Sequence, residues 1–226
     1  MGERPLGAGT VPPRSVLVVE DNAFLADLVV SSLHSHGFVA HQAHTVRDAW
    51  SVFDAEDPDA LVMDINLGPG ISGLDLAEAM MERSPGLAVV FLSELAHPRL
   101  AKPEWTELPP RTAFLTKSRL ESIDELIGAL NSVLSVQDVR IPRHDLDNAG
   151  PWGELSTAQL EVLALVAQGM SNSDIAKARG TQVRAVEALI SRTLDQLDLE
   201  VDGVEGNRRV QAARAYLLAS RESVSR

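Results

Sequence analysis

The chain has 226 residues, enough for one large domain or two of ordinary size. Hydrophobic residues make up 45% of it and aromatic residues only 4%, so aliphatic side chains must fill the core. No apolar run approaches the ~18 residues that a membrane span needs. The absence of cysteine excludes disulfides and thiolate chemistry, which fits a cytoplasmic protein.

The charge is distributed unevenly along the chain, whose formal net charge is −12. Residues 1–153 hold 11 basic and 22 acidic side chains, whereas residues 154–226 hold 9 and 10. This contrast predicts two domains with different partners. The polar stretch at residues 1–14 contains glycine and proline and lacks the apolar segment of a secretory signal, so we expect a disordered leader there.

Strand and helix patterns alternate over residues 15–135. Short β-branched and apolar runs predict strands at 15–21, 38–43, 59–64, 87–93 and 112–117. Apolar residues at helical spacing predict helices at 22–37, 45–57, 73–84 and 120–134. The alternation predicts a flavodoxin-like, doubly wound α/β domain with five parallel strands that are covered on both faces.

One segment interrupts this alternation. Residues 94–111 lie where a helix should connect the fourth and fifth strands, and they contain four prolines. Proline inside a helix costs about 3 kcal/mol, so we expect this connection to be short, kinked or replaced by a loop.

The C-terminal part of the chain shows helical patterns only. After an aperiodic linker at 136–153, helices are predicted at 156–168, 172–179, 182–197 and 207–220. The inner face of the third helix is predicted to consist of Val183, Val186, Ile190, Leu194 and Leu197. Two short helices joined by a tight turn are the shape of a helix-turn-helix. We therefore predict an all-α helix-turn-helix domain at 154–222, whose first helix Ser156 is suited to cap.

Polar residues capable of chemistry stand at the ends of four predicted strands. Glu20 and Asp21 end the first strand, Asp64 the third, Ser93 the fourth and Lys117 the fifth. Ligands of open α/β sheets bind at the carboxyl ends of the strands, so these side chains should share one crevice. Three carboxylates would repel one another there, and Mg²⁺ with oxygen ligands would relieve the repulsion. A carboxylate can also act as a nucleophile and form an aspartyl phosphate, with the lysine binding phosphoryl oxygens.

Four stretches of residues 15–135 carry a resemblance to a known family: "VVED", "LVMDINL", "VVFLS" and "FLTKS". They resemble the receiver domain of bacterial two-component response regulators, which a sensor histidine kinase phosphorylates. The resemblance implies that Asp64 is the phosphoacceptor. It also implies that Glu20, Asp21 and Asp64 hold Mg²⁺, with the backbone carbonyl of Asn66 as a further ligand.

The same resemblance assigns a switch to three more residues. Ser93 would donate a hydrogen bond to the phosphoryl group, Lys117 would bind its oxygens, and Phe114 would rotate together with Ser93. The loop after Asp64 departs from the family pattern, because it holds one more residue before Gly73. This departure and the proline-rich connection leave open a receiver that is never phosphorylated.

Residues 154–220 resemble the C-terminal domain of LuxR-type regulators. The stretches that carry the resemblance are "LSTAQLEVLALVAQGMSNSDIA", "VRAVEALISRTLDQL" and "NRRVQAARAYL". Joined to a receiver, they resemble a response regulator of the NarL/FixJ type. The resemblance implies that the helix at 182–197 enters the major groove of promoter DNA, and that the helix at 207–218 pairs two protomers in an active homodimer.

The expected DNA surface carries few positive charges. The residues predicted to face DNA are Lys177, Arg179, Thr181, Gln182, Arg184, Ala188, Ser191 and Arg192. Glu187 and Leu189 stand where the family usually has lysine and histidine. Phosphate contacts need cations, so we expect weak, salt-sensitive DNA binding that becomes useful only in a dimer.

Two other functions remain open on the sequence. An atypical receiver-containing adaptor would act through protein–protein contacts, which Glu187 and the neighbouring alanines favour. A free-standing phosphatase is disfavoured, because Asn66 stands where such enzymes often carry a second acid. We expect a switch rather than an enzyme, although a receiver would catalyse its own phosphorylation and dephosphorylation.

Four histidines lie close together in the sequence, His34, His36, His41 and His44. They flank a predicted helix end and a strand, and their spacing matches no zinc pattern. We interpret them as solvated residues, of which His34 and His36 are favourably placed at a helix C-terminus.

Overall fold

The computed structural model describes residues 12–68, 70–135, 140–147, 150–197 and 208–220. Most of the predicted leader, the residue Pro69 and part of the predicted linker lie outside the described residues. The strands are β1 (Ser15–Val19), β2 (Val39–Ala43), β3 (Ala60–Met63), β4 (Ala88–Ser93) and β5 (Thr112–Thr116). The helices around them are α1 (Ala23–Ser35), α2 (Val46–Glu56), α3 (Gly73–Arg83) and α4 (Ile123–Leu134).

The remaining helices belong to the C-terminal part of the chain. They are α5 (His144–Asp147), α6 (Thr157–Ala167), α7 (Asn172–Ala178), α8 (Val183–Gln196) and α9 (Arg208–Ala219). Short 3-10 turns lie at Pro98–Leu100, Lys117–Arg119 and Gly150–Trp152. Among the described residues, no helix is both long and apolar enough to cross a bilayer.

The five strands form one parallel sheet in the order β2-β1-β3-β4-β5. This order is that of a flavodoxin-like doubly wound sheet, and it confirms the predicted fold class. Alternate strand residues enter two separate apolar clusters, so both faces of the sheet are covered. The carboxyl ends of all five strands consequently meet at one edge of the sheet.

Local sequence signals set the ends of the helices. Asn22 caps α1, because its side chain accepts a hydrogen bond from the Leu25 N–H. Thr45 caps α2 in the same way through the Asp48 N–H. Gly37 follows the end of α1 with a φ of 86°, a conformation that glycine adopts without strain. Because α1 begins directly after Asn22, only a short loop joins it to the end of β1, and this loop lies at the carboxyl edge of the sheet.

The predicted interruption between β4 and β5 is confirmed. Of this connection only Pro98–Leu100 is regular, as a single 3-10 turn. Trp105 fills part of the space on this face of the sheet, since it is buried against Phe91 with ring centroids 6.0 Å apart. Proline removes backbone donors and blocks the preceding turn, so a buried aromatic anchor takes over the packing.

The described part of the linker runs beside the exposed edge of β5. The Phe114 N–H donates to the Pro142 carbonyl at 3.2 Å, and the Thr116 N–H donates to His144 Nδ1 at 3.1 Å. His144 Nε2 lies 2.7 Å from Glu125 Oε1 on α4. Residues 141–144 thus satisfy backbone donors that an uncovered edge strand would leave to solvent.

The C-terminal helices pack around their own apolar cluster, as predicted. Ser156 and Gln159 form a reciprocal capping box at the start of α6. Val186, Ile190 and Leu194 are buried along α8. The expectation that Val183 joins this inner face is wrong, because the side chain is 40% exposed at the first residue of the helix.

Candidate functional site

A lysine and two carboxylates form the centre of the carboxyl edge. Lys117 Nζ lies 2.8 Å from Asp64 Oδ2 and 2.7 Å from Glu20 Oε2. Both carboxylates are 4% exposed. The three residues end or follow β5, β3 and β1, so the parallel topology brings together groups that are 53 and 97 positions apart.

Asp21 completes an acidic cluster with Glu20 and Asp64. Each of the three side chains offers a carboxylate oxygen, and these oxygens lie within 4.8 Å of one another. Glu20 and Asp64 are buried, whereas Asp21 is exposed and opens the cluster to solvent. Hard oxygen donors with room for water are the ligand set that suits Mg²⁺, so the cluster fits that ion.

The electrostatics of the pocket are those of buried, mutually repelling acids. Burial raises the pKa of Asp64, and the nearby Lys117 ammonium opposes this shift only in part. Burial likewise raises the pKa of Glu20, to which repulsion from Asp64 contributes. Burial acts to lower the pKa of Lys117, but the carboxylates of Asp64 and Glu20 outweigh it, so this pKa is raised. The lysine therefore stays charged.

Backbone groups of the loop after Asp64 bind at the end of β3. The Asn66 N–H donates to Asp64 Oδ1 at 3.0 Å, so it fixes the second carboxylate oxygen. Gly68 and Gly70 take φ angles of 83° and 130°, which glycine adopts without strain. Gly73 then returns to the strand end, where its N–H donates to the Ile65 carbonyl at 2.8 Å.

Ser93 and Phe114, the two residues predicted to rotate together, are both fully buried. Ser93 is fully buried at the end of β4, and its Oγ accepts a hydrogen bond from the Leu95 N–H at 3.2 Å. Phe114 is fully buried in the cluster that contains Phe91 and Trp105. The register pairs Phe91 with Phe114 and Ser93 with Thr116, so the switch residues lie on adjacent strands.

His44 also belongs to the site, although the sequence analysis interpreted it as a solvated residue. Its Nδ1 lies 2.9 Å from the Glu20 carbonyl oxygen and can only donate to it. The Glu20 N–H donates to the Ala43 carbonyl at 3.1 Å, so the end of β2 holds Glu20 from both sides. No local pattern signals this contact, since it depends on the pairing of β1 with β2.

The predicted DNA surface is mostly open. Gln182, Arg184 and Ala188 are exposed on α8, and Thr181 is exposed before it. Arg192 is exposed further along the helix. Glu187 shares this exposed surface and places a negative charge in it.

Three other predicted contact residues already have partners within the chain. Arg179 is paired with Glu161. Ser191 accepts a hydrogen bond from Arg208 on α9, and Lys177 lies 3.9 Å from Asp174. The positive surface is therefore smaller than the sequence count of cations suggests.

Comparison with known proteins identifies the N-terminal domain. Residues 16–103 match the family model of the response regulator receiver domain. The N-terminal domain belongs to the response regulator receiver family. The helical domain that follows it stands in the order predicted from the sequence.

Relatives and solved structures cover most of the chain. It is 25% identical over 194 residues to the transcriptional regulatory protein TdiR of Thauera aromatica, a match spanning 84% of the chain and 82% of TdiR. It is 27% identical over 188 residues to the transcriptional regulatory protein DesR of Bacillus subtilis, spanning 82% and 91%. In structure it is similar to RcsB, solved as two dimers on two parallel DNAs, with a TM-score of 0.62 and 17% identity over 92% of the chain and 98% of RcsB. At this identity the RcsB likeness shows the two-domain fold.

Proposed function

We propose that the chain is a two-component response regulator that controls transcription, with Asp64 as its phosphoacceptor, a sensor histidine kinase as its phosphoryl donor and α8 as its DNA-reading helix. The single observation that carries the proposal is the pocket at the strand ends. It holds the carboxylate of Asp64 in bonding contact with the partly buried Lys117, which also bonds Glu20, and beside Asp21. The relatives TdiR and DesR, both named as transcriptional regulators, support the output.

The pocket geometry suits in-line attack by Asp64. One of its oxygens would form a bond to phosphorus while the bond from phosphorus to the kinase histidine nitrogen breaks, and that nitrogen then carries the electron pair. Lys117, already at bonding distance from Asp64, would move its ammonium to the transferred phosphoryl oxygens and balance their charge. Ser93 would supply a hydroxyl donor from the neighbouring strand.

We propose that Glu20, Asp21 and Asp64 hold Mg²⁺, with the Asn66 carbonyl as a further ligand. When bound, this ion would neutralise phosphoryl charge during transfer. Glu20 is bonded to Lys117 without the ion and would turn a carboxylate oxygen to it, while the hydrogen bond from His44 would hold the Glu20 backbone in place. Asp21, as the exposed member of the cluster, lies on the side open to solvent.

DNA binding is assigned to the exposed surface of α8. Gln182 and Arg184 at the start of the helix, with Ala188 one turn on, are positioned for base edges and phosphates. Arg192 adds a phosphate contact, and Lys177, whose ion pair with Asp174 is exposed and long at 3.9 Å, would exchange it for a phosphate; Glu187 weakens these contacts. A homodimer would double this small set of cations, which is why we propose that the active form is dimeric. The adaptor alternative is not favoured, because the relatives that span most of the chain are named as transcriptional regulators.

The proposed domain limits are those of the sequence analysis. The receiver occupies residues 15–135, the linker 136–153 and the effector domain 154–222. Most of the leader predicted for 1–14 lies outside the described residues, and Arg14 at its end is held by an ion pair with Asp59 at 2.6 Å.

The test is a DNA-binding titration with the full-length protein and the DNA upstream of its own gene. It should be run at two salt concentrations, with and without Mg²⁺ and beryllofluoride as the phosphoryl mimic. The mimic is expected to tighten binding, and higher salt to weaken it. Absence of binding under every condition would refute the assignment.

Two variants separate the parts of the proposal. Asp64→Asn removes the phosphoacceptor and should abolish the response to the mimic while leaving basal binding in place. Asp27→Asn changes an exposed acid of α1 by the same charge and should behave as wild type. Mimic-responsive binding by Asp64→Asn would show that phosphorylation acts elsewhere.

A further inference from the structure

The connection between β4 and β5 also joins the two domains. We call residues 95–103 the connector. Leu100 of the connector is buried in the apolar cluster of the C-terminal domain, beside Leu155, Leu160 and Ala215. A receiver side chain thus completes the core of the effector domain, and removing it would expose apolar surface on both sides.

Arg99 attaches the connector to the start of the effector domain. Its side chain is 5% exposed, and its Nη1 donates to the Gly153 carbonyl at 2.7 Å and the Leu155 carbonyl at 2.6 Å. Its Nε donates to the Pro103 carbonyl at 3.1 Å, which fixes the shape of the connector itself. Leu155 directly precedes Ser156, the N-cap of α6. The buried guanidinium therefore sets the position of the first effector helix.

The connector is bound to the end of α9 as well. The Ala96 N–H donates to the Ala219 carbonyl at 3.1 Å, so it satisfies a terminal carbonyl that has no partner within the helix. The Tyr216 hydroxyl donates to the Leu100 carbonyl at 2.8 Å. Two backbone groups of the connector are thus occupied by the last turn of α9.

The other end of the connector is attached to the receiver. Lys102 Nζ lies 2.8 Å from Asp75 Oδ1 on α3 and also binds Glu78. The Trp105 N–H donates to the Lys102 carbonyl, and the Trp105 ring is anchored on Phe91. Because both ends are held, a displacement at the start of the connector must be passed to the effector helices rather than absorbed by a loose loop.

The start of the connector is linked to the phosphoacceptor pocket through Ser93. Its Oγ is the acceptor for the N–H of Leu95, the first connector residue. If the hydroxyl turns towards a phosphoryl group on Asp64, this acceptor moves away from Leu95. Ala96, whose N–H binds α9, is the next residue in the chain. Rotation of the Ser93 side chain therefore acts on Leu95, the residue directly before the one that makes a bond between the domains.

We propose that the connector, and not a helix, is the element through which the phosphoacceptor pocket controls the effector domain. The inference rests on the proposed function of Asp64. With an empty pocket, Ser93 holds the connector and the connector holds α6 and α9 against the receiver. With a phosphoryl group in place, Ser93 releases Leu95, the bonds from Ala96, Arg99 and Leu100 are lost, and the effector domain is freed.

The contacts of α8 distinguish this device from direct blockage of the DNA surface. The outer residues Gln182, Arg184 and Ala188 are exposed while the connector is bound. The connector acts on α6 and α9, which position α8 through the shared core. The connector therefore limits the movement of the effector domain relative to the receiver, and it does not cover the outer surface of α8.

Hydrogen exchange of the full-length protein tests the proposal, with Mg²⁺ and beryllofluoride as the probe. The mimic should slow exchange at Ile65 and Asn66 beside the pocket. It should also speed exchange at Ala96 and in the last turn of α9 by about tenfold, because the Ala96 N–H loses its acceptor and the end of α9 loses the contacts that hold it against the connector. Arg99→Met, which keeps the apolar stem, should show fast exchange at α6 and α9 with or without the mimic.

Arg111→Met is the matched control. Arg111 also donates to backbone carbonyls, those of Val133 and Gly86, but both lie within the receiver. This variant should leave α6 and α9 exchange, and their response to the mimic, as in wild type. The same fast exchange in both variants would overturn the connector's role.

The remaining outcomes separate the inference from the proposed function. Slowed exchange at the pocket with unchanged exchange at α9 would overturn the connector and leave Asp64 as the phosphoacceptor. Unchanged exchange at the pocket would overturn both, because the switching of the connector depends on that site. Release of α9 in wild type but not in Ser93→Ala would support the path through Ser93.

Discussion

Gly73 packs directly against the backbone of Asp64. A Cβ at this position would lie 1.8 Å from the Asp64 carbonyl oxygen and 2.8 Å from its carbonyl carbon. Such a distance is far inside van der Waals contact, so any side chain must push the strand end or the start of α3 aside. Glycine at position 73 therefore lets the start of α3 approach the backbone of the nucleophile closely.

Gly73→Ala is expected to destabilise the receiver by about 1–3 kcal/mol, as other overpacked sites do. It should also reduce beryllofluoride binding, because the shift reaches the carboxylate of Asp64. Denaturant unfolding and mimic titration measure the two effects. Gly86→Ala is the control, since a Cβ there meets nothing within 4 Å. Equal behaviour of the two variants would contradict the packing argument.

Asp64→Asn should make the metal-free protein more stable at neutral pH. Burial raises the pKa of Asp64 and of Glu20 in the folded protein. A carboxyl with a raised folded pKa contributes stability below its unfolded pKa, and this is lost as pH rises through the folded pKa. The amide removes one ionisation, so we expect a melting temperature higher by a few degrees at pH 7.

The melting temperature of Asp64→Asn should also depend less on pH and on Mg²⁺ than that of wild type. The difference in melting temperature from wild type should shrink as the pH falls through the folded pKa values, because the acids then become protonated. Mg²⁺ should stabilise wild type and lose most of this effect in Asp64→Asn. A variant that melts below wild type at pH 7 would show that the bond to Lys117 outweighs the repulsion.

His44→Ala should weaken Mg²⁺ binding by about tenfold, the usual cost of losing a residue that orients a metal ligand. The reason is the hydrogen bond from His44 to the Glu20 carbonyl. Calorimetric titration of the apo protein with Mg²⁺ measures the affinity without any phosphorylation. His41→Ala serves as the control, because His41 lies 3.6 Å from Glu56, away from the pocket. Unchanged Mg²⁺ affinity in His44→Ala would mean that the bond from the Glu20 N–H to the Ala43 carbonyl is enough to hold Glu20.

The attachment of the connector should weaken in mild acid. His97 is buried, and its Nδ1 accepts the Arg99 N–H at 3.2 Å, which a protonated Nδ1 could not do. Burial lowers the pKa of His97; Asp145 opposes the shift, and Arg99 and Arg143 add to it. A group with a lowered folded pKa contributes stability above its unfolded value, here 6.5, and this is lost as pH falls through the folded pKa.

His97→Asn keeps an acceptor for the Arg99 N–H but does not titrate. Thermal unfolding between neutral and mildly acidic pH should show a steeper loss of stability in wild type than in this variant. Hydrogen exchange at Arg99 should rise with acid in wild type alone. Parallel pH profiles for the two proteins would assign the acid sensitivity to other groups.

Glu187→Lys should strengthen DNA binding about tenfold at low salt and steepen the salt dependence by about one unit of slope. The substitution removes a negative charge from the exposed surface of α8 and adds a phosphate contact. Glu82→Lys on α3 changes the net charge equally, outside the effector domain, and should have little effect. Similar gains in both variants would reveal a response to net charge rather than a contact at Glu187.

Much of the architecture could be predicted from local sequence signals. Alternation of apolar runs with helical spacing determines the order of strands and helices, because each pattern buries its apolar face in only one kind of element. The caps at Asn22, Thr45 and Ser156 act through neighbouring residues, so the helix starts were predictable. The sequence also predicted that the strand-end acids meet Ser93 and Lys117, since a parallel sheet brings its strand ends to one edge.

Tertiary structure alone decided the contacts that cross between elements. The bond from His44 to Glu20 depends on strand pairing, and the close approach of Gly73 depends on the path of the loop after Asp64. The prolines predicted that a helix is missing after β4, but not that Arg99 and Leu100 would enter the effector domain. Such contacts join separate elements of the fold, 56 positions apart for Arg99 and Leu155, and shape complementarity between folded surfaces, not local preference, selects them.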